Sequence, residues 1–150
     1  MIKIERSFSI NVPVEKVFSY LSDSTKLPEW IPGLFDVRDL KGKGVGQCSS
    51  WTYKMMGMPF KGKSVCIGHI INERIAIKTM GSITSIWDLT FKSQSNTTLV
   101  NLVLEYTIPV PLISKVGNRL ILRRNEREAD MAVANIKEKL EWKDQFKTLH

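Results

Sequence analysis

The sequence is poor in the residues that hold metals or act as nucleophiles. It contains two cysteines, Cys48 and Cys66, and two histidines, His69 and His150. Two thiols are too few for a disulfide framework or a four-thiolate zinc site, and no cluster of histidine, cysteine and carboxylate residues has the spacing of metal ligands. Cys66 and His69 are three residues apart on one predicted strand, so they point to opposite faces and give little support to nucleophilic catalysis. We therefore expect reduced thiols in the cytoplasm, no metal and no cofactor.

Long apolar runs are absent as well. No run approaches the roughly 20 residues that a membrane-spanning helix needs. The N-terminal residues alternate between apolar and polar from the second residue onward, which predicts a strand and not a signal peptide. With 150 residues, of which 43% are hydrophobic and 25% charged, the composition is that of an ordinary globular protein. The sequence thus predicts one domain over residues 1–150 and excludes a disordered tail or a disulfide-stapled miniprotein.

Acidic residues are fewer than basic ones, and the difference is local. The 22 lysines and arginines against 15 aspartates and glutamates give a formal charge of +7. Most of the excess lies in residues 38–63 and residues 115–124. Such an excess suggests nucleic acid, an anionic membrane surface or an acidic ligand as partner. Stacking aromatic residues do not clearly accompany it, which disfavours nucleic acid.

Hydrophobic periodicity predicts a sheet flanked by helices. Residues 2–10 alternate as a half-buried strand, with Arg6 as an exception on the apolar face. Pro13 opens a helix, and a short helical turn follows at residues 24–30. Five β-rich runs with short turns between residues 35 and 108 predict an antiparallel meander. After them we expect one long helix over residues 114–146, with an inner stripe of Leu122, Ala129, Val133, Ile136 and Leu140.

Two glycine-rich segments imitate nucleotide-binding motifs. Residues 57–64 match the G-x-x-x-x-G-K-[ST] pattern of a phosphate-binding loop. That loop needs a helix beginning at its lysine, whereas Lys63 is followed by residues that alternate like a strand, so we interpret the segment as a hairpin turn. Residues 42–46 also enter a strand, and their glycines predict a tight turn or bulge.

Aromatic and sulfur-containing side chains at alternating strand positions are the best signal of a binding site. Such residues form either a solid core or the wall of an apolar cavity, and both interpretations stay open at each position. His69 is either a polar group in a cavity or a core histidine, and Asn125 interrupts the inner stripe of the long helix as a candidate hydrogen-bonding partner for a ligand. The candidate ligand-binding residues are Trp51, Tyr53, Met55, His69, Trp87, Phe91, Tyr106, Leu122 and Asn125.

The order of the elements and several specific residues resemble a known superfamily. Residues 9–37 read SINVPVEKVFSYLSDSTKLPEWIPGLFDV, and this stretch resembles the opening of START-like helix-grip proteins, also called SRPBCC. The greatest similarity is to the polyketide cyclase/dehydrase-like branch, which includes relatives of one carbon monoxide dehydrogenase subunit. Thr97-Thr98 before the last strand, and Arg127 with residues 136–141 in the terminal helix, agree with it.

The resemblance implies an α+β helix-grip fold. It consists of a curved antiparallel β-sheet of six to seven strands, two short helices after the first strand, and one long C-terminal helix that covers a cavity. In this pattern Trp30 wedges the small helices against the sheet and is structural.

Function follows less directly, because the superfamily includes lipid carriers, plant allergens, cyclases and chaperone activators. Our leading hypothesis is binding or transport of a small hydrophobic ligand, either aromatic, polyketide-like or a lipid or isoprenoid, without catalysis. The alternative is a polyketide aromatase/cyclase or dehydrase, in which Tyr53, His69, Tyr106 or Arg6 would transfer protons or stabilise an enolate. A third hypothesis is a basic adaptor for RNA or a membrane surface. Expected partners are the small ligand and transient contacts with an anionic membrane or an acidic carrier, for a monomer or homodimer.

Overall fold

Seven strands form one antiparallel sheet in which most neighbours are also consecutive in the chain. The strands are β1 (Ile2–Ile10), β2 (Leu34–Lys41), β3 (Cys48–Met55), β4 (Met58–Ile70), β5 (Arg74–Gly81), β6 (Ser85–Gln94) and β7 (Thr97–Tyr106). Their spatial order is β1-β7-β6-β5-β4-β3-β2. This computed structural model describes residues 1–149, with side chains for residues 1–142, and His150 lies outside it. The predicted meander is confirmed, and β1 joins it beside β7.

The turn between β3 and β4 shows why the phosphate-loop pattern is a coincidence. Met56 and Gly57 have φ values of 53° and 81°, and two successive positive φ values are the signature of a tight two-residue hairpin. Lys63 lies within β4, where it pairs with Met80 of β5. No helix begins at this lysine, so the interpretation as a hairpin is confirmed.

Two glycines face each other across β4 and β5. Gly62 pairs with Gly81. A Cβ atom on Gly62 would lie 2.3 Å from the carbonyl oxygen of Met80 and 2.3 Å from the indole of Trp51. The missing side chain therefore lets Trp51, the cross-strand partner of Gly62, lie flat over β4.

Helices cover the concave face of the sheet at both ends. They are α1 (Val14–Leu21), α2 (Leu27–Trp30), α3 (Val110–Val116) and α4 (Asn118–Leu149), with a 3₁₀ turn at Ser24–Lys26 before α2. The Oγ1 of Thr98 donates to the carbonyl oxygen of Val12 at 2.8 Å, which fixes the chain between β1 and α1 against β7. Together, sheet and helices confirm the helix-grip fold. None of the helices among residues 1–149 has an apolar stretch long enough to cross a membrane.

The expectation of one helix beginning at residue 114 is wrong. The chain enters α3 directly after Pro109 and leaves it at Gly117, whose φ of 92° is a conformation that ends a helix. A second helix, α4, then begins at Asn118.

The inner stripe of α4 also differs from the expected one at its start. Among the described side chains of this helix, the buried ones are Ile121, Asn125, Ala132, Ile136 and Leu140. Leu122 is instead 36% exposed. Adjacent helix residues differ by about 100° in direction, so the rotation of α4 that turns Ile121 and Asn125 inward places Leu122 at the flank of the buried face.

The concave face is filled by side chains at both ends and hollow between them. The ring of Phe18 on α1 makes edge-to-face contacts with Phe91 and His69, with ring centroids 5.3 Å apart in both pairs. This end is therefore solid core. At the other end, a smaller cluster that includes Trp51, Leu112 and Ile121 packs α3 and the start of α4 over β3 and β4. The cavity lies between the two clusters.

Candidate functional site

A cavity of about 160 Å³ lies between the concave face of the sheet and the helices α2 and α4. Its wall is almost entirely apolar, with contributions from all seven strands. A protein cavity of about 150 Å³ with a similar lining stays dry and binds benzene. The size therefore suits a ligand with a small aromatic or branched apolar body, and a larger ligand must protrude from the cavity or displace part of its wall.

Three tryptophans form much of the wall. Trp30 of α2 and Trp87 of β6 meet edge to face with ring centroids 6.0 Å apart, and Trp51 lies over Gly62. Asn135 of α4 donates to the backbone carbonyl oxygen of Trp30 at 3.3 Å. Trp30 thus wedges α2 between the sheet and α4, as the resemblance implied, and it also lines the cavity.

The polar groups of the cavity are concentrated where α4 crosses β3 and β7. The amide Nδ2 of Asn125 donates to the hydroxyl of Tyr106 at 2.6 Å. The hydroxyl of Tyr53 donates to Oε2 of Glu128 at 2.9 Å, and Oε1 of the same carboxylate accepts from Nε of Arg124 at 3.2 Å. Asn125 and Glu128 are three residues apart and thus share one face of α4. This polar end can orient a ligand whose remaining surface is apolar.

The tyrosines of this end hold their protons firmly. Burial, followed by the negative charge of Glu128, raises the pKa of Tyr53 far above its ordinary value near 10. Burial likewise raises the pKa of Tyr106. Both hydroxyls can therefore donate a hydrogen bond but cannot serve as bases near neutral pH. Burial also raises the pKa of Cys66, which disfavours its nucleophilic thiolate.

Most of the residues predicted from the sequence are brought together by the fold. Six of the nine candidates line the cavity, namely Trp51, Tyr53, Met55, Trp87, Tyr106 and Asn125. Their role in ligand binding stays a prediction. The alternation on β3, β6 and β7 was sufficient to find five of them.

The other three candidates lie elsewhere. His69 and Phe91 pack against Phe18 at one filled end of the concave face and do not line the cavity. Of the two interpretations of His69, the structure therefore favours a core-packing residue. Leu122 lies at the flank of the buried face of α4 and does not line the cavity.

Arg6, the charged candidate for catalysis, lies outside the cavity as well. Its guanidinium donates to Glu126 at 2.5 Å and to Asp130 at 2.8 Å, both on α4. Arg6 therefore ties β1 to the outer flank of α4, which explains a charged residue on the apolar face of β1.

Sequence reasoning missed Glu128. Its side chain is only 16% exposed and lines the cavity. Its position three residues after Asn125 was the signal that was available.

Among the residues that the structure describes, no group of three or more histidine, cysteine and carboxylate residues is arranged to hold a metal.

Comparisons with known proteins agree with this geometry. The sequence model of the family described as "Polyketide cyclase / dehydrase and lipid transport" matches residues 1–141. A Thermus thermophilus protein of known structure superposes with a TM-score of 0.78 and 15% identity, over 93% of this chain and 97% of its own. A START superfamily protein from Mycobacterium smegmatis superposes with a TM-score of 0.74 and 14% identity, over 93% of this chain and 97% of its own. A Streptomyces aromatase/cyclase superposes with a TM-score of 0.69 and 12% identity, over 92% of this chain and 94% of its own. At such identities the likeness shows the fold alone. No curated protein matches the sequence significantly.

Proposed function

The chain belongs to the polyketide cyclase/dehydrase and lipid transport family, and from this premise we propose that it binds a small hydrophobic ligand, with an aromatic ring as the best-fitting body, in the cavity between sheet and α4. The observation that carries the proposal is the cavity itself, about 160 Å³ in volume with a wall that includes Trp30, Trp51 and Trp87. Burying a ligand against such a wall is favoured by roughly 25 cal/mol per Å² of apolar surface removed from water.

The proposal is tested with the neutral dye N-phenylnaphthylamine, which fluoresces when it enters an apolar site. Three of the four tryptophans of the protein line the cavity, so energy transfer from tryptophan to the dye reports binding there. Replacing Ala129, which lines the cavity on α4, by Phe fills the space and should weaken binding by about tenfold or more. Ala134→Phe places the same ring on the exposed side of the same helix and should change the affinity less than about twofold. Equal effects of the two variants, or no saturable binding at all, would refute the proposal.

The alternative is a cyclase that acts on a polyketide-like substrate, and two of the four side chains predicted to serve its catalysis line the cavity. Arg6 and His69 do not reach the cavity, whereas Tyr53 and Tyr106 do. Their raised pKa values suit hydrogen-bond donation to a developing enolate oxygen, although Tyr53 already donates to Glu128. Turnover of a polyketide-like thioester that disappears in Tyr53→Phe and Tyr106→Phe would favour this alternative. Turnover that survives both changes would exclude these roles.

A further inference from the structure

A second pocket lies beside the cavity and is basic. It forms where the chain just before β2, the β3–β4 hairpin and α4 meet, and it shares Pro32 and Glu128 with the cavity wall. Two arginines of α4, Arg124 and Arg127, line it against the single carboxylate of Glu128. Lys54 of β3 also lines it, but through its backbone, because its ammonium lies over the ring of Phe35.

The position of Lys54 is fixed by a close backbone contact. Gly33 has a φ of 89°, and a Cβ atom on it would lie 2.5 Å from the carbonyl oxygen of Lys54. The backbone N–H of Lys54 donates to the carbonyl oxygen of Gly33 at 2.8 Å. Only glycine allows this approach, so the floor of the pocket depends on a specific residue.

Of the two arginines, Arg127 lacks a carboxylate partner. Among residues 1–142 it forms no ion pair, whereas Arg124 pairs with Glu128. Arg6 and Arg74 also each pair with acidic side chains. A guanidinium without a partner at the edge of a pocket is suited to a carboxylate, phosphate or sulfonate group.

Glu128 separates the two spaces and contacts groups in both. It accepts from Tyr53 on the cavity side and from Arg124 on the side of the basic pocket. An anion at the pocket would compete with Glu128 for Arg124, while the apolar part of the same molecule extends past Pro32 into the cavity.

We infer that the ligand is an amphiphile, and that Arg124 and Arg127 bind its anionic headgroup while the cavity holds its apolar body. The inference rests on the proposed function and deepens it, because it names the chemical class of the ligand. A small headgroup fits the observations better than a membrane or an acidic protein, since the two arginines line a concavity that adjoins the cavity.

Two dyes that differ by one charged group test the inference. N-phenylnaphthylamine is neutral, and anilinonaphthalene sulfonate is the same molecule with a sulfonate added. The wild-type protein should bind the sulfonate more tightly, by roughly tenfold for two exposed guanidinium groups. Arg127→Gln should remove about threefold of this preference and leave the affinity for the neutral dye within about twofold. Arg123→Gln removes the same charge from an exposed position on α4 that lines neither space, and should leave the preference unchanged.

The possible failures are distinguishable. If the neutral dye does not bind to the wild-type protein, the proposed function fails. If it binds but the sulfonate binds no better, or if Arg123→Gln acts like Arg127→Gln, the headgroup site alone is refuted. Inorganic phosphate should weaken sulfonate binding without releasing the neutral dye. Release of both dyes by phosphate would also refute the headgroup site. Adsorption to phosphatidylglycerol vesicles that depends on Arg127, while the preference for the sulfonate dye does not, would refute it as well and would favour a membrane surface.

Discussion

The buried hydrogen bond between Asn125 and Tyr106 should be coupled strongly enough to measure by a double-mutant cycle. Asn125 is 7% exposed and Tyr106 is 5% exposed, and their polar atoms are 2.6 Å apart. Tyr106→Phe leaves the amide of Asn125 without this partner, and Asn125→Leu leaves the hydroxyl of Tyr106 without its donor. Each change should lower the free energy of unfolding by about 1–3 kcal/mol, because an unpaired buried polar group keeps its full desolvation cost.

The double variant should be less destabilised than the sum of the two single changes. When both polar partners are replaced by apolar groups of similar shape, the desolvation cost disappears from both sides, so the coupling should be about 2 kcal/mol. For a chain of this length such a difference corresponds to roughly 4–8 °C in melting temperature. Urea unfolding followed by tryptophan fluorescence measures the four free energies, provided that the dependence on urea stays the same in all variants.

A matched cycle serves as the control. The hydroxyl of Tyr20 donates to Glu29 at 3.0 Å and makes no hydrogen bond with Asn125. Asn125→Leu combined with Tyr20→Phe should therefore be additive within about 0.5 kcal/mol. Additivity of the Asn125 and Tyr106 changes to within the same margin would show that the two groups are not a coupled pair.

Two further predictions concern the close contacts of Gly62 and the effect of alkaline pH on stability. Gly62→Ala should cost about 3 kcal/mol and abolish binding of N-phenylnaphthylamine, because its Cβ would displace Trp51 and crowd the backbone of Met80, whereas Gly44→Ala, whose Cβ meets no atom within 4 Å, should cost about 1 kcal/mol and retain binding. Thermal melts and dye titration check both, and similar losses in the two variants would contradict the assigned role of Gly62. Burial raises the pKa values of all three tyrosines, so folding stability should be independent of these groups below pH 10. Above pH 10 stability should fall, by at most about 1.4 kcal/mol per pH unit for each tyrosine and only up to the pKa of that tyrosine in the folded protein. Tyr53, whose pKa is raised most, should form phenolate only on unfolding, and a native phenolate just above pH 10 that disappears in Tyr53→Phe would contradict this.

The sheet and its order were predictable because the signals that specify them are local. Alternation within each strand and short turns between strands require an antiparallel meander, whatever the details of packing. The same alternation placed Trp51, Tyr53, Met55, Trp87 and Tyr106 on the concave face.

The predictions were wrong where contacts with an element distant in the sequence determine which way a side chain faces. His69 follows an irregularity in β4 between Cys66 and Gly68, which changes the side to which later residues point. Whether His69 and Phe91 line a cavity then depends on the position of Phe18, which reaches them from α1. No pattern within β4 or β6 contains that information. The same holds for α4, where Leu122 and Leu140 point in nearly the same direction but only Leu140 is buried.

The excess of positive charge acquires a functional meaning only when its partners are known. Arg38 lies in the first basic segment and pairs with Asp36 and Asp39 on its own strand, so it adds little free charge to that surface. Arg124 ends the second basic segment and lines the pocket beside the cavity, together with Arg127, which has no ion pair among the described side chains. Counting charges along the sequence treats Arg38 and Arg124 alike. Because pocket membership separates them, an anionic ligand is inferred from the two arginines beside one concavity alone, and the remaining excess can serve solubility without weakening that inference.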